Sequence, residues 1–249
     1  MALVEWVGVG QAQTTGAVSL IVPTRNEAGN VIELLARLHS LPLGLLREVV
    51  FVDDSDDDTV EVIERAAPAF SVPVTLVHRE PGERTGGLSG AVVAGFRQAR
   101  GDWLAVMDAD LQHPPEVLAE LYGTAADRKV DIVCATRNVA GGDRAGLSGI
   151  RDLISRSFTG LARVAFPRRL HGVSDPMSGF FLVRRDAVVL EDLRPAGFKI
   201  LLEILVRTGG LRRAEVPFEF ADRFAGDSKA SLREGVTYLR HVARLRLAA

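Results

Sequence analysis

Residues 105–116 read "AVMDADLQHPPE" and put two carboxylates, Asp108 and Asp110, one residue apart where an apolar run gives way to a loop. Two like charges so close raise one another's pKa unless something positive satisfies both. They can converge on one hard cation, or divide between a cation and a sugar hydroxyl. Gln112, four residues after Asp108, adds a third oxygen, and Pro114 and Pro115 close the loop stiffly before a helix that starts near Glu116. A donor set made only of oxygen favours Mg²⁺ or Mn²⁺ over zinc. The competing reading has Asp110 capping the following helix.

A second acidic cluster, "DDSDDDT" at 53–59, follows another apolar run. Ser55 with Asp58 resembles a capping box, and acidic residues suit the positive end of a helix dipole, so residues 55–59 read as a helix start. Asp53 and Asp54 stand earlier, at the strand tip, where they can accept hydrogen bonds from a base or a ribose.

The elements that must position these clusters follow from the alternation of short apolar runs with helical patterns, which predicts a mostly parallel sheet flanked by helices in an α/β fold. "VSLIVP" (18–23), "EVVFVD" (48–53), "PVTLVH" (73–78), "WLAVMD" (103–108) and "DIVCAT" (131–136) are the expected strands. Helices of about a dozen residues lie between them, the first carrying Val31, Leu34, Leu35 and Leu38 on one face. Ligands of such sheets sit beyond the carboxyl ends of the strands, and there the sequence collects "PTRNE", "DDSDDDT", "DAD" and "TRN". Beyond a Gly-rich stretch at 139–149 come an expected helix at 150–166, a strand at 179–185, a helix at 197–209, a strand at 213–220 and a basic helix near 231–247.

At 249 residues and 47% hydrophobic side chains the chain fits one large domain. A net charge of −2 argues against a general nucleic-acid binder. The lone Cys134 reads as a small buried hydrophobe in a reducing compartment. Five histidines without an i, i+4 pair argue against zinc. "GGLSG" (86–90) fits neither the P-loop nor the dinucleotide fingerprint and reads as a close-approach turn or a simple helix start. Residues 1–17 lack the pattern of an export signal and read as a tail, and no run is long enough to span a membrane.

Seven segments in register, "VPTRNE", "FVDDSDDDT", "GGLSGAVVAGFRQARGD", "VMDADLQHPPE", "DPMSGFFLVRR", "GFKILLEILV" and "DRFAGDSK", resemble the inverting nucleotide-sugar glycosyltransferases of GT-A fold. Among these the sequence is most similar to the dolichol- or polyprenol-phosphate mannosyltransferases. The resemblance implies one GT-A domain over about 18–230, preceded by the tail and followed by an amphipathic helix at 231–249. It implies a nucleotide-diphosphate sugar donor, GDP-mannose first, whose diphosphate is bridged by the divalent ion. Pro23, Arg25, Glu27, Val52 and Asp54 would line the donor pocket, and Asp108 and Ala109 would touch the nucleotide. Asp110 and Gln112 would hold the metal, with Arg223 and Lys229 on the diphosphate. The turn after Asp53 and Asp54 is shorter than the family's usual one, so either aspartate can face the base.

The acceptor is expected to be a polyprenyl or dolichyl phosphate. A sugar hydroxyl must shed a proton as it attacks, whereas a phosphate monoester with a second pKa of about 6 is already largely dianionic and needs cations to place it. Between Arg137 and Arg169 the chain carries seven arginines against two aspartates. Arg151 and Ser155 share a helix face and offer a bidentate donor and a hydroxyl to one phosphate; by the resemblance Arg137 and Arg151 hold the lipid phosphate. Arg156, Arg163, Arg168 and Arg169 read as a solvated face. Asp175 is a candidate base that more simply braces the next strand, and Glu203 is expected to pair with Lys199. The basic line Arg233, Arg240 and Arg244, beside the apolar line Leu232, Val236, Leu239 and Ala243, suits either a docked helix or one lying on an anionic membrane surface, at its cytoplasmic face. Other readings are a UDP-glucose or UDP-N-acetylhexosamine donor and a non-catalytic nucleotide-sugar-binding subunit.

Overall fold

The computed structural model of the protein describes residues 2–6, 17–137, 149–221, 224–225 and 232–248; of residues 2, 3, 5, 6, 149–156, 232–234 and 248 only the backbone is described. Among the described residues eight strands form one sheet: β1 (Ala2–Trp6), β2 (Val18–Thr24), β3 (Leu46–Asp53), β4 (Val74–His78), β5 (Trp103–Val106), β6 (Ile132–Thr136), β7 (Phe181–Arg184) and β8 (Arg213–Pro217). Their order is β1-β4-β3-β2-β5-β7-β6-β8. β4, β3, β2 and β5 run parallel, as do β6 and β8, while β7 runs antiparallel between β5 and β6 and β1 antiparallel to β4. The carboxyl ends of β2, β3, β5, β6 and β8 therefore share one edge with the start of β7.

Strands β2, β3 and β6 are buried on both faces, which is why they read as continuous apolar runs and not as alternations. Helices α1 (Ala28–His39), α2 (Thr59–Ala66) and α4 (Val117–Arg128) cover one face, packing Leu34, Ile63 and Leu118 onto Val22 and Phe51. On the other face lie α3 (Gly87–Gln98), α5 (Gly149–Ala165), α6 (Ile200–Arg207) and α7 (Leu232–Ala248), with Phe96, Leu202 and Tyr238 against Val50, Leu104 and Phe181. No helix among the described residues is long and apolar enough to cross a membrane.

Several expectations are corrected. Residues 2–6 are not a tail: they form the edge strand β1, paired from Ala2↔His78 to Trp6↔Val74. The Ser55 to Asp58 capping box does not form. The Ser55 hydroxyl donates to Asp53 Oδ1, and Asp57 Oδ1 instead accepts from the Thr59 amide and hydroxyl. Glu203, fully buried, takes its salt bridge from Arg207 Nε at 2.9 Å and a backbone bond from Arg194. Lys199 turns away to the Met177 carbonyl at 2.8 Å. Cys134 is buried and its thiol pKa is pushed up by burial, as its apolar neighbours require.

At the far end of the β6/β8 pair, Asp131 accepts from Arg212 and pairs with Arg184 at 3.2 Å, so one carboxylate ties the β6, β7 and β8 ends together. The Arg212 hydrogen bond holds its pKa down at about 2. A carboxyl depressed in the folded state stabilises above its unfolded pKa and loses that contribution as pH falls through the folded one. Both guanidiniums are well exposed, so we expect Asp131→Asn to cost only about 1 kcal/mol at neutral pH. The deficit should shrink from pH 3.8 downward and vanish near pH 2, read from urea melts of the two proteins across that range.

Candidate active site

The loops at the carboxyl edge are built from local bonds whose partners lie far apart in sequence. Asn26 and Leu111, both with φ above 50°, sit in the loops after β2 and β5. Non-glycine residues hold that left-handed conformation only when their surroundings over-determine it. For Asn26 those surroundings are bonds from its amide to Ser55 Oγ (2.7 Å) and from the Asp56 amide to its Oδ1 (2.9 Å). Leu111 is 2% exposed, its side chain locked in the core between Asp110 and Gln112.

Pro23 and Val52 are Cα partners across β2 and β3, both buried, and Thr24 pairs with Asp53 one residue further on. Arg25 follows, exposed and 3.9 Å from Asp56, and Glu27 opens α1, its amide bonded to Thr59 Oγ1 and its carboxylate to Asn30. Of the five residues expected to line a donor pocket, Pro23 and Val52 thus stand on adjoining strand tips, Arg25 and Asp54 lie just beyond the ends of β2 and β3, and Glu27 begins the next helix.

Asp53 is corrected. It is 0% exposed and its oxygens take the Thr24 hydroxyl, the Ser55 amide and hydroxyl, and His78 Nδ1. A carboxylate so occupied cannot also receive a base or ribose; it fastens the tips of β2, β3 and β4. Asp54 takes a two-pronged bond from Arg79, Nε to Oδ1 at 2.7 Å and Nη2 to Oδ2 at 2.5 Å. Arg79, 4% exposed, also reaches the carbonyls of Thr85 and Gly87. It therefore carries "GGLSG" to the strand tips as a close-approach turn. A Cβ on Gly90 would lie 2.0 Å from the Thr85 carbonyl oxygen, and Gly86 holds φ 78°. Arg79 was missed from sequence; its one legible signal is a charged residue directly after strand β4.

In the loop after β5, Asp110 is 6% exposed and its Oδ1 accepts the Gln112 amide at 3.1 Å. Helix α4 starts only at Val117, so Asp110 does not cap it. Gln112 and Asp110 are also joined to the segment after β8: Ala221 and Phe224 donate to the Gln112 and Asp110 carbonyls, and Gln112 Nε2 returns to the Ala221 carbonyl at 3.3 Å. Ala109 is buried. Asp108 has about a third of its side chain exposed, and its Oδ2 is 3.6 Å from His113 Nδ1. His113 is packed among Phe180, Phe218 and Phe220, and burial pushes its pKa down to about 4, so it is a neutral aromatic brace at pH 7.

Gly179 stands against this pair: a Cβ there would meet Asp108 Oδ2 at 3.0 Å and His113 Cε1 at 3.2 Å. With the buried ring unable to move, Asp108 must swing. We expect Gly179→Val to raise the Mn²⁺ concentration for half-maximal turnover about tenfold with little change in Tm, a second-neighbour effect of the size seen when metal-site supports are lost.

Across the edge, Arg137 follows β6 and donates Nε and Nη2 to Asp175 Oδ2 at 3.0 and 2.8 Å, with its guanidinium 5.0 Å above the Phe220 ring. Asp175 is fully buried and also accepts the Met177 amide. This is the bracing role, and a carboxylate so engaged is not a general base. Arg151 and Ser155 lie in α5, but their side chains are outside the described residues; Arg223 and Lys229 are wholly outside them. The donor-side residues Pro23, Arg25, Glu27, Val52 and Asp54, the loop 108–112 and Arg137 share one edge.

The model of the family described as Glycosyl transferase family 2 matches residues 19–189, a span that runs from β2 through β7 and so contains the described edge except the end of β8 and the segment that follows it. The chain belongs to that family. Within it, the chain is 42% identical over 229 residues to a dolichol-phosphate mannosyltransferase of Pyrococcus furiosus, matching 92% of this chain but 63% of that protein's length. It is 35% identical to the Saccharomyces cerevisiae dolichol-phosphate mannosyltransferase (91% of this chain, 86% of the relative) and 37% identical to that of Mycosarcoma maydis (93% and 80%). These place this family 2 glycosyltransferase among the dolichol-phosphate mannosyltransferases. Of solved structures, glucosyl-3-phosphoglycerate synthase from Mycobacterium tuberculosis, in complex with Mn²⁺, UDP and glucosyl-3-phosphoglycerate, superposes with TM-score 0.69 at 19% identity over 98% of this chain and 85% of that one. Mannosyl-3-phosphoglycerate synthase from Rubrobacter xylanophilus gives 0.63 at 22% identity, covering 92% and 73%. They fix the GT-A fold expected from sequence.

No group of three or more His, Cys, Asp and Glu side chains clusters as a metal cage among the described residues. The donor set still fits a divalent ion. Mg²⁺ and Mn²⁺ in nucleotide sites are usually held by one or two carboxylates with the rest of the shell from phosphate oxygens and water, a share that Asp108, Asp110 and the Gln112 side-chain oxygen would supply.

Proposed function

We propose that this enzyme transfers mannose from GDP-mannose to a polyprenyl or dolichyl phosphate, with inversion at the anomeric carbon. What carries the reading is the edge itself. Donor-side residues at the ends of β2 and β3 meet a carboxylate loop after β5, and Arg137 is held across the edge by Asp175, whose carboxylate it occupies. The 35–42% identity to dolichol-phosphate mannosyltransferases supports it.

A phosphate oxygen of the lipid attacks C1 of the sugar as the bond from C1 to the diphosphate oxygen breaks. The nucleophile arrives deprotonated near neutral pH, so the protein's work is to place it. Arg137, stiffened by Asp175 and Phe220, gives one fixed cation for that purpose, and Arg151 with Ser155 would give a bidentate donor and a hydroxyl on α5. Asp108, Asp110 and Gln112 would hold Mg²⁺ or Mn²⁺, which supplies charge neutralisation to the departing diphosphate. Arg223 and Lys229 would add to that grip. Pro23, Val52 and Ala109 shape the nucleotide side by backbone and packing, while Arg25, Glu27 and Asp54 supply its polar contacts.

A lipid acceptor asks for membrane contact. Helix α7 buries Tyr238, His241, Val242 and Leu245, so it is docked; yet Val236 and Leu239 on its outer side are about half exposed, beside exposed Arg240 and Arg244. We read that face as peripheral on an anionic cytoplasmic membrane surface. The test is transfer of labelled mannose from GDP-mannose into a short polyprenyl phosphate, run beside UDP-glucose and UDP-N-acetylglucosamine. Lipid-linked mannose is expected. Transfer from a UDP-sugar alone would replace the donor assignment, and Tm stabilisation by GDP without any transfer would make the chain a binding subunit.

A further inference from the structure

At the opposite edge of the sheet from the Asp108–Asp110 loop lies a cavity of about 780 Å³, walled by Arg168, Arg169, Arg213 and Arg246 and floored by Phe166 and Pro167. Three separate elements send these arginines there: the end of α5 and the turn after it, the first residue of β8, and the last turn of α7. Among the described residues none of the four makes an ion pair with a carboxylate, and no carboxylate lines the cavity. Arg213 donates Nη1 to the Arg169 carbonyl, while its Nε is buried with no hydrogen-bond partner. Burial and the neighbouring Arg169 charge both disfavour its charged form.

Four like charges converging on one hollow repel each other, and a buried donor left unmade costs free energy. Surface arginines ordinarily scatter or pair with acids, as Arg212 does with Asp131 beside this very strand. The mutual repulsion is relieved if an anion with several acceptor oxygens occupies the cavity. Guanidinium forks match phosphate in that geometry better than they match a monatomic ion. The chain also leaves large apolar side chains bare next to the lining: Val164 is 81% exposed and Leu247 90%.

We propose that this cavity is a second binding site, separate from the transfer site, for a phosphate group. A phospholipid head group and free phosphate share that chemistry. The exposed apolar neighbours suit the first, and the proposal does not depend on the identity of the sugar donor.

The test compares the full chain with Arg168→Ser/Arg246→Ser, two exposed positions whose loss should leave the fold intact, as its unliganded Tm will show. A control, Arg65→Ser/Arg128→Ser, removes the same charge from exposed positions on the other face. Each is measured for sedimentation with vesicles of equal parts phosphatidylcholine and phosphatidic acid, and for the Tm shift given by inorganic phosphate. Loss of two charge-assisted contacts should weaken the pocket variant's binding by about tenfold or more while the control binds as the parent does. A loss confined to vesicles identifies a lipid phosphate, and a loss confined to the inorganic phosphate shift identifies a free one. If neither probe separates the pocket variant from the parent, or the control loses as much, the cavity is no phosphate site. Turnover with a short water-soluble acceptor should be unchanged in the pocket variant, which keeps this result apart from the fate of the transfer assignment.

Discussion

Asp110→Ala is expected to lower kcat roughly a thousandfold, with no recovery at saturating Mn²⁺ or Mg²⁺ and a Tm close to the parent's. The magnitude follows from removing a group whose interaction matters most as charge develops on the leaving diphosphate, a loss of about 10²–10³ for a single well-placed stabiliser and more where a cation is lost with it. Asp110 is 6% exposed but lies in a loop, where its Oδ1 accepts the backbone amide of Gln112 two residues on. Its truncation therefore removes chemistry without opening the core. Asp110→Asn keeps the shape and the loop bond, so a similar loss there would assign the effect to charge. Most activity surviving at saturating metal would remove the carboxylate from the proposed metal set.

Arg137→Ala should have two separable effects. Asp175 would be left fully buried without its cation, and breaking a buried pair from one side costs about 3–5 kcal/mol, a fall in Tm of roughly 10 °C. Turnover should fall about a hundredfold or more, with the KM for the lipid phosphate raised more than that for the donor. Arg137→Ala with Asp175→Asn decides between placement and mere stability. Removing the orphaned charge should restore most of the Tm, while the defect toward the lipid persists. If turnover returned with the Tm, Arg137 would be a strut only. Arg151→Ala should show the lipid KM defect with the Tm unchanged.

Much of this edge was legible in the sequence because its logic is local. Asp108, Asp110 and Gln112 stand within five residues, and the apolar runs that end at them announce the strands. The parallel order was legible for a similar reason, since strands buried on both faces leave uninterrupted Val and Ile runs between helical stretches. What stayed hidden depends on long-range partners. Asp53 looks like a ligand residue at a strand tip, but its fate is set by Thr24, 29 positions away, and His78, 25 away. Arg79 acquires its role only when β4 lies beside β3 and brings Asp54 within reach. Strand β1 is five residues whose pairing partners lie 68 to 76 positions on, too short to be told from a tail. Spacing alone does not choose the partner of Glu203, because Lys199 and Arg207 are both four residues away from it. Which one answers depends on the Met177 carbonyl that captures the lysine.

The most direct trial of the transfer site is a structure of the protein with GDP-mannose, Mn²⁺ and a short polyprenyl phosphate, with manganese located by its anomalous scattering. The account predicts one ion peak within bonding distance of Asp110 and the donor diphosphate, and the lipid phosphate on Arg137 at the sugar's opposite side. A diphosphate bound with the manganese peak elsewhere, or an acceptor phosphate seated away from Arg137, would contradict it.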